Sequence, residues 1–204
     1  MTRLQLDQDL EHQSVRDRLA KLCVEGQAIA ERFDVDVRSL AFHPFLPSKY
    51  QDVLACLEGL EPRSGRFLEA GSATGIIAIL ADLLGYEAYG IELDESLVTT
   101  ARALAGRYGS RARFAVGSFL PDGYRWVSEG GDARTGTIGL GRPGYDELGL
   151  DLADFDVVCA FPWPGEEPLF LDLMVRHGAP DARLLLPHLG RGDVAVYRAG
   201  RRES

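Results

Sequence analysis

The spacing of apolar positions changes several times along this chain, and each change marks an element. Over residues 9–33, Val15, Leu19, Leu22, Val24, Ile29 and Phe33 recur at mostly three- and four-residue steps amid charge, which predicts an amphipathic helix. Val53, Leu54, Leu57 and Leu60 predict a second helix. Ahead of it lies an irregular aromatic stretch, residues 41–50, pinned by Pro44 and Pro47 and offering Ser48 as a helix cap. Phe67 and Leu68 then form a short apolar run, Gly71 and Gly75 bracket a tight turn, and Ile76, Ile77, Leu80, Leu83 and Leu84 return to helical spacing. With the strand that ends on Glu92, residues 66–92 read as strand, glycine-rich turn, helix and strand. This is a nucleotide-binding βαβ unit.

The pattern continues in the same alternation. A helix is predicted over residues 95–108, with Leu97, Val98, Ala101 and Leu104 on one face, and a third strand over 113–116. Residues 155–160, FDVVCA, are continuously apolar, as expected of a central parallel strand buried on both faces. A helix over 169–175, a fifth strand over 183–186 and one more over 194–197 complete the chain. Between the third and fourth strands, residues 121–151 are rich in glycine and poor in large apolar side chains. A loop of that length inside a domain predicts a functional lid or a mobile segment, from which Trp126 and Tyr145 would contact a substrate.

A glycine-rich turn alone suits a dinucleotide as well as other adenosine ligands, and two carboxylates decide between them. Glu69 stands two residues before Gly71, where a pyrophosphate would meet negative charge and a sulfonium or α-amino group would be attracted. Glu92 ends the second strand, 17 residues after Gly75, where an acidic side chain accepts ribose hydroxyls. Ribose plus cation describes S-adenosylmethionine. The glycines by themselves also suit a plain β–α turn.

These residues resemble the class I (Rossmann-like) S-adenosylmethionine-dependent methyltransferases. EAGSATG is similar to their first motif and YGIELDESLV to their second. The resemblance implies an α/β fold with a doubly wound, mostly parallel sheet of order 3-2-1-4-5, here with reduced C-terminal strands and N-terminal helices. It implies that Glu69, Gly71, Ser72, Ala73, Gly75, Glu92 and Leu93 hold the cofactor, with Ser118 accepting from the adenine amino group and Phe119 packing on its face. Ala73 departs from the family, standing where the middle glycine is usual, so an extra methyl is expected to face the methionine part of the ligand. FPWPGEE follows the fourth strand, where amino-methylating members carry a polar residue, two prolines and an aromatic. Phe161, Pro162 and Trp163 are similar in shape only, and they are the expected acceptor contacts. Glu166 or Glu167 would attract a positive substrate or open the next helix. Pro47, Ser48 and Tyr50 resemble the Pro-Ser/Thr loop that folds over the methionine end in a subset including non-SET protein-lysine methyltransferases, and His43 is the one histidine placed near this site.

Composition narrows the rest. With 204 residues the expectation is one methyltransferase-like domain over 47–204, preceded by a helical segment and loop over 1–46. A net charge of −9, with Lys21 and Lys49 the sole lysines, argues against a polyanionic partner, so nucleic acid is not expected. Cys23, Cys56 and Cys159 lack metal-ligand spacing, so no metal is expected. No apolar run approaches membrane-span length, and a cytoplasmic protein, with a homodimer possible, is expected. The expected function is transfer of a methyl group to a nitrogen or oxygen of a small molecule or protein side chain, with no general base evident. The alternatives are a non-catalytic binding or partner protein of the same fold and, third, an NAD(P)-dependent oxidoreductase, against which Glu69 counts.

Overall fold

The computed structural model describes residues 3–38, 47–61, 64–126, 141–188 and 192–203. Helix α1 (Arg3–Phe33) ends in a π-helical turn, Asp34–Arg38. Helix α2 (Tyr50–Gly59) leads into β1 (Arg66–Ala70), α3 (Ile76–Leu83), β2 (Glu87–Glu92), α4 (Glu95–Tyr108) and β3 (Arg113–Val116). The chain continues through α5 (Tyr145–Leu148), a 3₁₀ turn at Leu152–Asp154, β4 (Val157–Ala160), α6 (Glu167–His177), β5 (Arg183–Pro187), β6 (Val194–Arg198) and β7 (Arg201–Arg202).

The seven strands form one sheet in the order β3-β2-β1-β4-β5-β6-β7. The first five are parallel, in register Leu68 to Tyr89, Leu68 to Val158, Ile91 to Ala115 and Val158 to Leu184. β6 and β7 add an antiparallel meander at the edge, the last strand being two residues long. The expected doubly wound order is therefore present; of the C-terminal strands expected to be reduced, β6 has five residues, as many as β1 and β5, and β7 alone is short. Strand order reverses between β1 and β4, and in open α/β sheets ligands bind outside the carboxyl ends of the strands at that point.

Two apolar layers cover the sheet. One holds α1, α2, α3 and α4 through Leu22, Val53, Leu57, Ile79, Leu80 and Leu104; the other holds α5 and α6 through Tyr145, Leu148, Leu169, Phe170 and Leu173. Strands β1 and β4 are buried on both faces, which explains why they read as continuous apolar runs. Helix α4 opens on Asp94, whose carboxylate accepts from the Ser96 and Leu97 amides, and closes on Gly109 in the left-handed conformation. Helix α1 shares the first layer through Leu19, Leu22 and Cys23. Gly26 lets α1 approach closely, since a Cβ there would sit 2.9 Å from both Ile76 and Tyr50.

Several local expectations change. Ser48 does not cap α2: Lys49 holds the N-cap position and makes no side-chain cap hydrogen bond. Strand β4 begins at Val157 rather than Phe155, because the Phe155 amide closes the preceding 3₁₀ turn on the Leu152 carbonyl; its ring is fully buried edge-on against Tyr89. Of the glycine-rich segment, residues 127–140 lie outside the described residues, as do His43 and Pro44. Its C-terminal described end is fastened to the exit of β3: Ser118 donates its amide to the Arg142 carbonyl at 2.8 Å and its carbonyl accepts from the Gly144 amide at 2.9 Å. Gly117 makes this possible, since a Cβ there would lie 2.6 Å from the Gly144 nitrogen.

Candidate active site

The turn between β1 and α3 is folded back on β2 by its own amides. Gly71 and Ser72 both donate to the Ile91 carbonyl at 2.9 Å, Ala73 donates to Glu92 Oε2 at 2.9 Å, and Gly75 donates to the Ser72 carbonyl at 2.7 Å. Gly71 and Gly75 have φ of 75° and 74°, the left-handed region that glycine adopts without steric cost. Gly75 is doubly constrained, because a Cβ there would come within 2.5 Å of the Phe114 ring, whereas one at Gly71 would meet nothing within 4 Å.

Beneath this turn lies a cleft of about 370 Å³, open to solvent, at the carboxyl ends of β1 and β4. Its walls include Pro47, Ser48, Tyr50, Glu69, Gly71 to Thr74, Ile76, Ile77, Cys159, Ala160 and Phe161. The sequence-predicted residues Glu69, Gly71, Ser72, Ala73, Tyr50 and Phe161 are thus brought together. The Ser72 hydroxyl is buried in this wall with no hydrogen-bond partner among the described residues. A buried donor of this kind is satisfied by a ligand or by water.

Glu69 is the electrostatic centre of the cleft. It is buried, and its Oε2 accepts from the Ala78 amide at 2.9 Å, with the Ile77 amide also bonding the carboxylate. The carboxylate therefore occupies the N-terminus of α3. Burial pushes its pKa up to about 8, and the nearby charge of Glu92 adds to the rise, while the two amides oppose it. Burial, and then the Glu69 charge, raises the Tyr50 hydroxyl; burial and Glu69 likewise raise the Cys159 thiol. A cation entering this cleft would draw Glu69 into its ionised form.

Glu92 sits at the end of β2 with Oε2 on the Ala73 amide and Oε1 on the Asp94 amide at 3.0 Å. A carboxylate has about four lone-pair sites, so each oxygen keeps capacity for a hydroxyl donor. Leu93 is partly exposed beside it.

Other expected residues are placed differently. The Ala73 side chain packs against the cluster of Ala30 of α1 and Leu97 of α4, beside Phe33, while Ala73 also lines the cleft. Ala73 takes φ 43° to do so, a left-handed conformation unusual for a residue with a Cβ. Ser118 Oγ accepts from the Leu120 amide at 3.2 Å within its own turn, and Ser118 is 2% exposed. The Phe119 ring stacks on Phe170, centroids 5.4 Å apart, inside the second apolar layer, so it forms no adenine wall of the cleft. Tyr145 is buried and its hydroxyl donates to the Phe119 carbonyl at 2.7 Å, which makes it an anchor of the loop and not a substrate contact. Trp126 packs against the second layer.

After β4, Phe161 lines the cleft while Pro162 and Trp163 do not. The turn is closed by Glu166, which is buried and whose Oε2 accepts from the Trp163 amide at 2.9 Å. Glu167 opens α6 and accepts from the Tyr197 hydroxyl. Neither glutamate is offered to a substrate. A second cleft, of about 310 Å³, adjoins the first across Pro47 and Phe161 and is lined by Lys49, Asp52, Pro187, His188 and Asp193. Sequence reasoning missed His188 and Asp193. The available signal was their position just past the carboxyl end of a parallel strand, where sites of this fold collect.

No protein-family model matches the chain. A ribosomal protein L11 methyltransferase from Thermus thermophilus is 40% identical over 53 residues, which are 26% of this chain and 21% of that relative, so the chain matches about a fifth of its length. An RNA methyltransferase from Salinibacter ruber, crystallised with S-adenosyl-L-homocysteine, is similar with TM-score 0.49 and 18% identity over 69% of this chain and 76% of that one. A precorrin-6y C5,15-methyltransferase from Geobacter metallireducens is similar with TM-score 0.48 and 16% identity over 72% and 66% of the two chains. None of these supports the expectation that nucleic acid is not the acceptor. No described helix is long and apolar enough to cross a membrane. The strand order itself carries the fold assignment: a Rossmann-like, doubly wound, mostly parallel sheet.

Proposed function

We propose that this chain is an S-adenosylmethionine-dependent methyltransferase acting on a nitrogen or oxygen acceptor. The observation that carries this reading is the Glu69 carboxylate on the Ile77 and Ala78 amides. Dinucleotide folds place the pyrophosphate at this helix N-terminus. Here the position is filled by a carboxylate, and the Gly71, Ser72, Ala73 and Gly75 amides have acceptors within the protein. An anionic ligand would oppose ionisation of Glu69 and meet few unengaged donors, whereas a sulfonium with an α-amino group would draw Glu69 into its ionised form and meet the unpartnered Ser72 hydroxyl.

When bound, S-adenosylmethionine supplies an activated methyl group, and the protein's contribution is to position and desolvate the partners. Glu69, Ser72 and the Gly71 turn would hold the methionine part, and Glu92 the ribose hydroxyls. The test is calorimetric titration of S-adenosylmethionine and S-adenosylhomocysteine, with NADH and Glu92→Ala as controls. The expected result is micromolar binding of the sulfur ligands, lost at least tenfold in Glu92→Ala, and no binding of NADH. Binding of NADH alone would overturn the reading.

One observation favours the alternative of a non-catalytic protein with the same fold: Ser118 and Phe119 are committed to turn and core, leaving the adenine end without the expected contacts. Absence of both sulfur ligands from the titration would favour this alternative.

A further inference from the structure

We propose that the second cleft is the acceptor site and that the group it takes is an amine. This rests on the methyltransferase reading above. The two clefts share Pro47 and Phe161 in their linings, so they lie side by side. The second is formed by the loop before α2, the exit of β4, the exit of β5 and the entry to β6, and it gathers charged and polar groups from segments far apart in sequence.

Its polar groups ask for a donor. Asp193 has one carboxylate oxygen engaged, Oδ2, which lies 3.4 Å from Arg202. The other, Oδ1, is covered and has no hydrogen-bond partner among the described residues, although the side chain as a whole is 44% exposed. A buried lone pair of a carboxylate left unmet is costly, and an N–H aimed at it removes that cost. Asp52 faces the same space and, among the described residues, makes no ion pair. Its Oδ2 and the Lys49 Nζ each lie 3.6 Å from where a Cβ on Gly192 would be, so both reach the loop that carries Asp193. His188 is held at the exit of β5 by its amide, which donates to the Asp193 carbonyl at 3.2 Å, and it adds an imidazole to the lining.

Among the described residues Lys49 is the one lysine or arginine in the lining, and it does not reverse this preference. Lys49 is exposed, whereas Asp52 and Asp193 are partly buried. An exposed ammonium is solvated and contributes weakly, while a carboxylate oxygen withdrawn from water interacts more strongly with a donor. The apolar wall of Pro47, Phe161 and Pro187 suits a short aliphatic stem beside the amine.

The test is a nuclear magnetic resonance titration of the full chain with propylamine, and with 1-propanol and propionate as isosteres of opposite or no charge. The expected result is saturable shifts of the His188 ring and Asp193 amide resonances by propylamine, at least fivefold tighter than by either isostere. Asp193→Asn is expected to bring propylamine to the level of propanol. Equal response to the three probes, preference for propionate, or no response to any overturns the proposal, and these comparisons need only the unsubstituted chain. A parallel calorimetric titration with S-adenosylhomocysteine separates the two readings. Loss of that binding alone removes the methyltransferase reading, whereas its presence together with a propionate preference removes the amine site alone.

Discussion

The Glu69 carboxyl group lies 2.9 Å from the backbone nitrogen of Ala78, so the acidic residue of β1 accepts from the first turn of α3 as well as lining the cleft. Both roles depend on its protonation, because burial raises its pKa to about 8.

Stability should therefore fall as pH rises through a defined window. The ordinary glutamate value is 4.5 and the folded value about 8. Between them the unfolded chain releases a proton that the folded chain retains, so the contribution of Glu69 is complete below the lower value and is lost on passing the upper one. Gln at this position can still accept the Ala78 amide and does not ionise. Glu69→Gln is expected to be more stable than the unsubstituted protein at pH 8 by about 4–5 kcal/mol and equal to it near pH 4, since each pH unit between the two values is worth about 1.36 kcal/mol. Thermal melts of both proteins across this range check it. A constant difference at all pH values would sink the assignment.

The same ionisation should govern ligand affinity. S-adenosylmethionine favours the charged form of Glu69, so its binding is expected to tighten from pH 6 to 8, by at most about tenfold per pH unit, and to release protons at the lower end. Glu69→Gln should bind weakly with little pH dependence over that range. Calorimetry in buffers of different ionisation enthalpy reads both quantities.

The glycines of the turn should rank in a definite order. Gly75→Ala combines a left-handed φ with a Cβ 2.5 Å from the Phe114 ring, and a loss of about 3 kcal/mol or more is expected. Gly71→Ala carries the φ cost without a neighbour and should lose about 1–2 kcal/mol. Ala73→Gly relieves a φ of 43° but removes a methyl packed against Ala30 and Leu97, so opposing effects of about 1 kcal/mol each should leave stability nearly unchanged. Denaturant unfolding of the three variants tests the ranking.

Gly26→Ala separates intrinsic helix propensity from packing. In an exposed helix interior this change stabilises by about 1 kcal/mol. Here the new methyl would lie 2.9 Å from Ile76 and Tyr50, both of which line the cleft, so a loss of about 1–3 kcal/mol and weaker S-adenosylhomocysteine binding are expected. A stabilised variant with unchanged binding would mean that α1 does not seat on the turn.

The parts legible in the sequence were those set by local spacing. Apolar runs at 67–68 and 155–160, helical spacing at 76–84 and glycines at 71 and 75 specified strands, helices and their turn, because period and φ preference act within a few residues. Glu69 and Glu92 were identified from their offsets to those glycines, and both are placed beside the turn. Ser118, Phe119 and Tyr145 misled because one side chain can face a ligand, a loop or a core, and spacing alone does not say which.

Local pattern was thus enough for the βαβ unit and the two carboxylates beside its turn, since backbone preference and apolar spacing act within a few residues, while the doubly wound order was implied by the resemblance of the motifs. The remaining features arose on folding. Packing turned the Ala73 methyl onto α1, the removal of water raised the Glu69 pKa, and chain closure joined Lys49, Asp52, His188 and Asp193 around one cleft. Desolvation and contacts between segments more than a hundred residues apart exist only once the chain has closed on itself, and no local pattern records them.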